Sequence, residues 1–155
     1  MKLYFQPMIR IELSDWAGAG AEAKQIRETV FVAEQGVPAE IELDEHDPQC
    51  IHALARDQTG HAVGTGRLLP SEIRDGHVVA HVGRMAVLKE WRGRGIGGAL
   101  LARLVEASRE RGDTEVVLAS QTHAEGFYRA HGFLAEGDEF VDAGIPHRTM
   151  RRVLA

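Results

Sequence analysis

Apolar residues along this chain alternate between a period of two and a period near 3.6, and the switches between the two mark its elements. Ile9, Ile11 and Leu13 alternate with Arg10 and Glu12, which predicts a half-buried strand, and Ser14-Asp15 offers capping oxygens to a helix behind it. The clearest part of that helix carries Ile26, Val30 and Ala33, and Gly36-Val37-Pro38 ends it. An acidic stretch from Glu40 to Asp47 reads as a solvated loop. Runs at 51–56 and 62–69 flank Asp57-Gln58-Thr59-Gly60 and predict an antiparallel hairpin. Residues 78–88 predict a third strand, which Gly83 interrupts as a bulge would.

From Gly97 to Arg111, Leu100, Leu101, Leu104, Val105 and Ser108 share one helical face, and Gly112 stops the helix. Val116 to Ala119 predicts a buried strand, Ala124 to His131 a short helix closed by Gly132, and two last strands fall around 139–141 and 147–153. Strands alternating with helices in this order predict one α/β (mixed α+β) domain, a mixed sheet flanked by helices. The first residues include Leu3-Tyr4-Phe5-Gln6, which resembles part of a protease tag, so residues 1–7 are set outside a single domain spanning 8–155 as disordered or tag-derived.

Composition narrows the function classes. The 155 residues, 44% hydrophobic and 26% charged, suit one globular domain with a real core. The absence of a long apolar run or a leader-like start makes cytoplasmic residence the expectation. A single Cys50 offers neither a disulfide nor zinc-site spacing, and the eight histidines suggest no metal site, so none is expected. A net charge of −5 argues against bulk nucleic-acid binding and favours small-molecule partners.

Arg92-Gly93-Arg94-Gly95-Ile96-Gly97-Gly98 stands between a strand and an amphipathic helix, so its backbone N–H groups crowd at a helix N-terminus that carries about half a positive charge. An anion site is the expectation. Gly93, Gly95 and Gly98 also satisfy the dinucleotide pattern, but Lys89-Glu90-Trp91 separate them from the strand, and the ribose-binding carboxylate due about 20 residues later is missing. No Gly-Lys-Ser/Thr occurs, which excludes a nucleotide-hydrolase phosphate loop. A merely tight turn would not require so many glycines.

Val87 followed by Arg92 to Gly97 resembles the R/Q-x-x-G-x-G/A signature of the GNAT superfamily of N-acetyltransferases. Gln121-Thr122-His123-Ala124-Glu125-Gly126-Phe127-Tyr128-Arg129-Ala130-His131-Gly132-Phe133 resembles the downstream N-x-x-A-x-x-F-Y-x-x-x-G-F segment, with Gln121 in place of the usual Asn. Together they cover about residues 78–133, and Val30 to Pro38 is similar to a subgroup of small bacterial members. The resemblance implies the acyl-CoA N-acyltransferase fold, a central, mostly antiparallel sheet with a bulged strand that splays from its neighbour. It implies acetyl-CoA as co-substrate, held by Met85, Ala86 and Val87 along the pantetheine arm, by Arg92, Gly93, Arg94, Gly95, Ile96, Gly97 and Gly98 at the diphosphate, and by Gln121.

An amine of pKa near 10.4 costs roughly 4 to 5 kcal/mol to deprotonate at neutral pH, so a base or water relay is useful. The departing thiolate wants a proton and the developing oxyanion wants N–H donors. Tyr128 matches the family position whose hydroxyl commonly protonates the sulfur, and the Met85 N–H is the candidate oxyanion donor. His147, after Gly144-Ile145-Pro146, resembles a histidine acting as base in some small-molecule members; the alternative is a histidine packed at a strand end, with His81 and His52 as rivals.

For the acceptor, Glu34 and the acidic residues Glu42, Asp44 and Asp47 suggest a cationic amine, whereas Arg27 and Arg84 suggest a carboxylate. The expected activity is acetylation of a small amine. A protein amino group, or a non-catalytic acetyl-CoA sensor, are the alternatives, and a homodimer is left open.

Overall fold

The computed structural model describes residues 9–42 and 44–154, so the segment 1–7 set apart as disordered or tag-derived lies outside the described residues. The elements are β1 (Arg10–Ser14), α1 (Trp16–Arg27), α2 (Ala39–Glu42), β2 (Ile51–Arg56), β3 (Ala62–Leu68), β4 (Glu72–Arg74), β5 (His77–Val87), α3 (Ile96–Arg111), β6 (Glu115–Gln121), α4 (Glu125–Ala130), β7 (Leu134–Asp142) and β8 (Ile145–Val153). The sheet order is β1-β2-β3-β5-β6-β8-β7, with β4 hairpinned onto β5. Every pairing is antiparallel except β5–β6, whose parallel connection runs through α3, as a crossover must. The fold is a mixed α/β domain with one mostly antiparallel sheet.

Alternation along β2 sends Leu54 to one face and Ala53 and Ala55 to the other. Leu54 joins Ala19, Ala23, Ile26 and Val30 beneath α1, while Ala53 and Ala55 join Leu100, Leu101, Leu104 and Val105 beneath α3. The two helices therefore sandwich the sheet. Asp15 caps α1 by accepting from the Gly18 N–H at 2.8 Å, and Gly112 ends α3 in a left-handed turn (φ 95°).

The structure departs from the expectations in three places. After Arg27 the first helix widens into a π-helical stretch, Glu28–Glu34, which rotates Ala33 off the buried face that Ile26 and Val30 keep. The acidic stretch is no solvated loop: Glu42 and Asp47 are each 2% exposed, drawn in by Arg27 and Arg67. And β4, not anticipated, turns into β5 through Asp75-Gly76, both with positive φ (50° and 80°), the two-residue hairpin chemistry that the Asp-Gly pair announces.

Candidate active site

Strands β5 and β6 pair at Val79–Glu115, Ala80–Val116 and His81–Val117, and no further. Beyond that point β5 runs on to Val87 and β6 to Gln121, so the two strands diverge and leave backbone groups on the facing edges without a strand partner. The cleft between them has a volume of about 660 Å³. One wall is Val82 to Val87, the other Leu118, Ala119 and Gln121, and Val30, Phe31 and Val37 also line it.

What forces the divergence is a bulge. In the β3–β5 register Arg67 faces Gly83 and Thr65 faces Ala86, so Gly66 alone opposes both Arg84 and Met85. Glycine suits position 66, because a Cβ there would run into the Met85 sulfur and the end of Leu104, and both side chains would have to shift. The extra residue thus falls just after Gly83, and it is Arg84 that takes the left-handed conformation, φ 51°.

At the end of β5 a single 3₁₀ turn, Lys89–Trp91, leads into the glycine turn. Gly93 and Gly95 have φ of 78° and 80°, and Gly95 stands at the N-cap of α3 with no side-chain cap. The first intrahelical bond is Ala99 N–H to Gly95 C=O at 3.0 Å, which leaves the N–H groups of Ile96, Gly97 and Gly98 without helical acceptors at the positive end of a 16-residue helix. Such an arrangement can hold an anion. Gly98 has a second constraint, since a Cβ there would lie 2.9 Å from the His131 ring. Arg92 donates from Nε to the Val87 carbonyl (2.9 Å) and from Nη2 to both oxygens of Glu34 (3.0 and 2.9 Å). Arg94 lies over the Trp91 ring at 4.8 Å.

Tyr128, on α4, lines the cleft with its ring edge-on to Phe127 and Phe133. Burial pushes its hydroxyl up to about 12, so it stays protonated at any working pH. Among the described residues its O–H has no acceptor, which leaves it able to donate into the cleft. His147 lines the same cleft, 8% exposed and stacked on Phe140. Its Nδ1 lies 2.7 Å from the Ile145 carbonyl; a carbonyl only accepts, so Nδ1 carries a proton, and in the neutral ring the lone pair is on Nε2. The structure brings Tyr128, His147, Met85 and Gln121 to one cavity.

Of the rival histidines, His81 also lines the cleft and is held below its ordinary pKa by burial. His52 lies outside it, buried, with Nε2 2.8 Å from the Asp47 carbonyl.

The acceptor-side residues separate sharply. Arg27 is 1% exposed and fully engaged: Nε on Glu42, Nη1 on Asp47 Oδ1 (2.9 Å), and Nη2 on Asp47 Oδ2 (3.0 Å) and the Glu42 carbonyl (3.1 Å). It is not among the cleft residues, so the reading of Arg27 as an acceptor ligand is corrected: it is a core cation that fastens the acidic segment to α1. Glu34 spends its carboxylate on Arg92. Arg84 does line the cleft.

Sequence reasoning missed several lining residues. Gln35 and Gln121 exchange amide hydrogen bonds (3.2 and 2.9 Å), tying the end of the π-helical stretch to the tip of β6. Asp142 and Ala143 reach the cleft from the β7–β8 turn, and Arg67 from β3. Asp142-Ala143-Gly144 was readable as a turn; nothing local marked Gln35 or Arg67.

Comparison with known proteins bears on the family and the fold. The family model described as an acetyltransferase (GNAT) domain matches residues 19–154. The uncharacterized N-acetyltransferase YjcF of Bacillus subtilis is 39% identical over 132 residues, covering 84% of this chain and 90% of YjcF. Among solved structures, an acyl-CoA N-acyltransferase from Pseudomonas aeruginosa superposes with a TM-score of 0.80 at 29% identity, covering 94% of this chain and 100% of its own. Escherichia coli ElaA gives a TM-score of 0.80 at 26% identity, covering 94% and 99%.

Proposed function

This chain belongs to the GNAT acetyltransferase family and is an acyl-CoA-dependent N-acetyltransferase, and from that premise we propose that it acetylates the primary amine of a small molecule by direct attack, without a covalent enzyme intermediate. The observation that carries this reading is the convergence of a protonated, unpartnered Tyr128 hydroxyl and the Nε2 lone pair of His147 on one cleft, beside the free edge of a bulged strand. Acetyl-CoA, when bound, supplies an activated acyl thioester.

The residues present fit that co-substrate. Amides of Ile96, Gly97 and Gly98 are open to a diphosphate, and Gly93 and Gly95 in the turn before them add no side chain to the approach. The free edge of β5 can extend its ladder onto the pantetheine amides; the Val87 carbonyl already accepts from Arg92 and keeps one lone pair for this. Gln121, bonded to Gln35 through one N–H and one lone pair, keeps a second N–H and a second lone pair with which to join in.

For the chemistry, His147 accepts the amine proton at Nε2, while Ile145 holds the ring in the required tautomer. The Met85 N–H donates to the acyl oxygen as negative charge grows there. Tyr128 donates its proton to the departing sulfur. With a pKa of about 12 the phenol gives up that proton uphill to a thiolate, so the cycle closes when the proton collected by His147 is returned through water to the phenolate. Two protons leave the ammonium nitrogen: one passes through His147 and water to Tyr128, replacing the proton given to sulfur, and the other goes to solvent, so one ammonium and one thioester become one amide, one thiol and one released proton.

The test is incubation of the purified protein with acetyl-CoA and a panel of small amines, peptides and proteins, following thiol release. Release with small amines is expected. Release with peptide or protein amino groups alone would move the acceptor class, and tight coenzyme A binding with no release from any acceptor would overturn the small-amine reading in favour of a sensor.

A further inference from the structure

The acceptor end of the cleft contains charges of both signs, and the two signs are not equally available. The carboxylates are already committed. Glu34 is bound by Arg92. Asp47 takes Arg27 and Arg67. Asp44 takes Arg67 at 2.8 and 2.7 Å, and Arg84 at 3.2 Å. Glu42 takes Arg27 through one oxygen, while its second oxygen is buried and has no hydrogen-bond partner among the described residues. At Glu34, Asp44 and Asp47 a cationic acceptor would have to compete with these arginines. Among the described residues, Asp142, exposed on the β7–β8 turn, is the one cleft carboxylate outside this network.

Among the arginines the imbalance runs the other way. Arg84 uses two of its N–H groups, both in long bonds of 3.2 Å, to the Glu42 carbonyl and to Asp44. Of the five N–H groups a guanidinium carries, the rest, Nη1 included, have no acceptor among the described residues. Burial pulls this guanidinium below its ordinary pKa and the neighbouring Arg67 and Arg27 repel it, with Asp44 and Glu42 compensating only in part. An anion brought to it would restore the balance.

The backbone supports the same conclusion. Arg84 is the residue at the bulge with φ 51°, a conformation that costs an L-residue of the order of 1 kcal/mol and that the adjacent Gly83 could adopt without cost. Strain at a cleft residue that packing alone does not require points to a side chain placed for a ligand. We propose, on the basis of the acyl-transfer reading above, that Arg84 anchors a carboxylate of the acceptor, so that the enzyme selects an amino-carboxylate over a purely cationic amine. The carboxylate binds at Arg84, and the amino group lies toward His147 and Asp142 across the same cleft.

The experiment compares thiol release for matched acceptors: an amino acid, its primary amide, and the amine lacking the carboxyl group. The parent enzyme should favour the acid over the amide by at least about tenfold in kcat/KM, as expected for a charge-assisted pair in a half-buried site. Arg84→Gly suits the left-handed backbone and should reduce that ratio to about one while leaving calorimetric acetyl-CoA affinity within about twofold; Arg84→Asn, which also tolerates this conformation, serves if the glycine variant melts early. A parent that favours the amide, or a variant that keeps the preference, overturns the proposal. If no amine turns over, calorimetry with N-acetylated amino acids in the presence of coenzyme A separates the two ideas. Binding that Arg84→Gly abolishes keeps the carboxylate anchor and sinks the acyl-transfer reading; no binding to the parent sinks the anchor.

Discussion

Two side chains carry the proposed chemistry, and their surroundings assign opposite duties. Tyr128 packs its ring edge-on to Phe127 and Phe133, and burial keeps its proton on to about pH 12. Tyr128→Phe should lower kcat about 100-fold with little change in acetyl-CoA affinity by calorimetry, and an unchanged kcat would remove its role as acid. Because its pKa is raised, the parent pH–rate profile should show no decline from phenol ionisation below about pH 11. The same shift has a cost for the fold: between about pH 10 and 12 the unfolded chain has lost a proton that the native state keeps, so unfolding free energy should fall with pH there, and less so in the Phe variant. His147→Ala should depress turnover at neutral pH and recover part of it at high pH, where the acceptor arrives deprotonated; activity equal to the parent at neutral pH would exclude it as base.

At the level of elements, the cleft depends on a mismatch between two strands, and Gly66 is the point at which β3 permits it. Leu104 of α3 and Met85 of β5 both crowd the space a side chain would need there. Gly66→Val should cost about 1–3 kcal/mol in urea denaturation through overpacking, and the displaced Met85 should weaken acetyl-CoA binding as well. A fully stable variant would show that the bulge can relax around the extra methyls. The glycine turn is more local. Its left-handed residues, the helix that follows and the exposed N–H groups all belong to one continuous stretch, which is why its anion-binding character was readable before any fold was known. The Asp75-Gly76 hairpin was equally readable and was overlooked because β4 is only three residues long.

Across the whole molecule, the acidic segment is fastened to the sheet by ion pairs that span distant parts of the chain. Asp47 joins Arg27 of α1 to Arg67 of β3; burial opposes its charge, but the two guanidinium groups outweigh it and hold its carboxyl below the ordinary range. Asp47→Ala would leave two buried cations short of a partner, so a loss of about 3–5 kcal/mol in chemical denaturation is expected. With the folded pKa depressed, the stabilisation from Asp47 is complete above about pH 4 and is lost as the pH falls toward the lowered value. An acid-unfolding midpoint unmoved by Asp47→Ala would contradict that assignment.

The sequence by itself determined whatever depends on near neighbours in the chain. The glycine turn, the capping of α1 by Asp15, the face of α3 and the Gln121–Phe133 motif all arise within a few residues of one another, where period, turn chemistry and helix termini decide the outcome. The tertiary structure alone decided which charges were already spent. Arg27 and Arg84 look alike in sequence, but one is sealed in the core between Glu42 and Asp47, and the other stands at a bulge with N–H groups unclaimed. Burial and pairing set the strength of a charge, and both are properties of residues that the chain brings together from 15 to 42 positions apart.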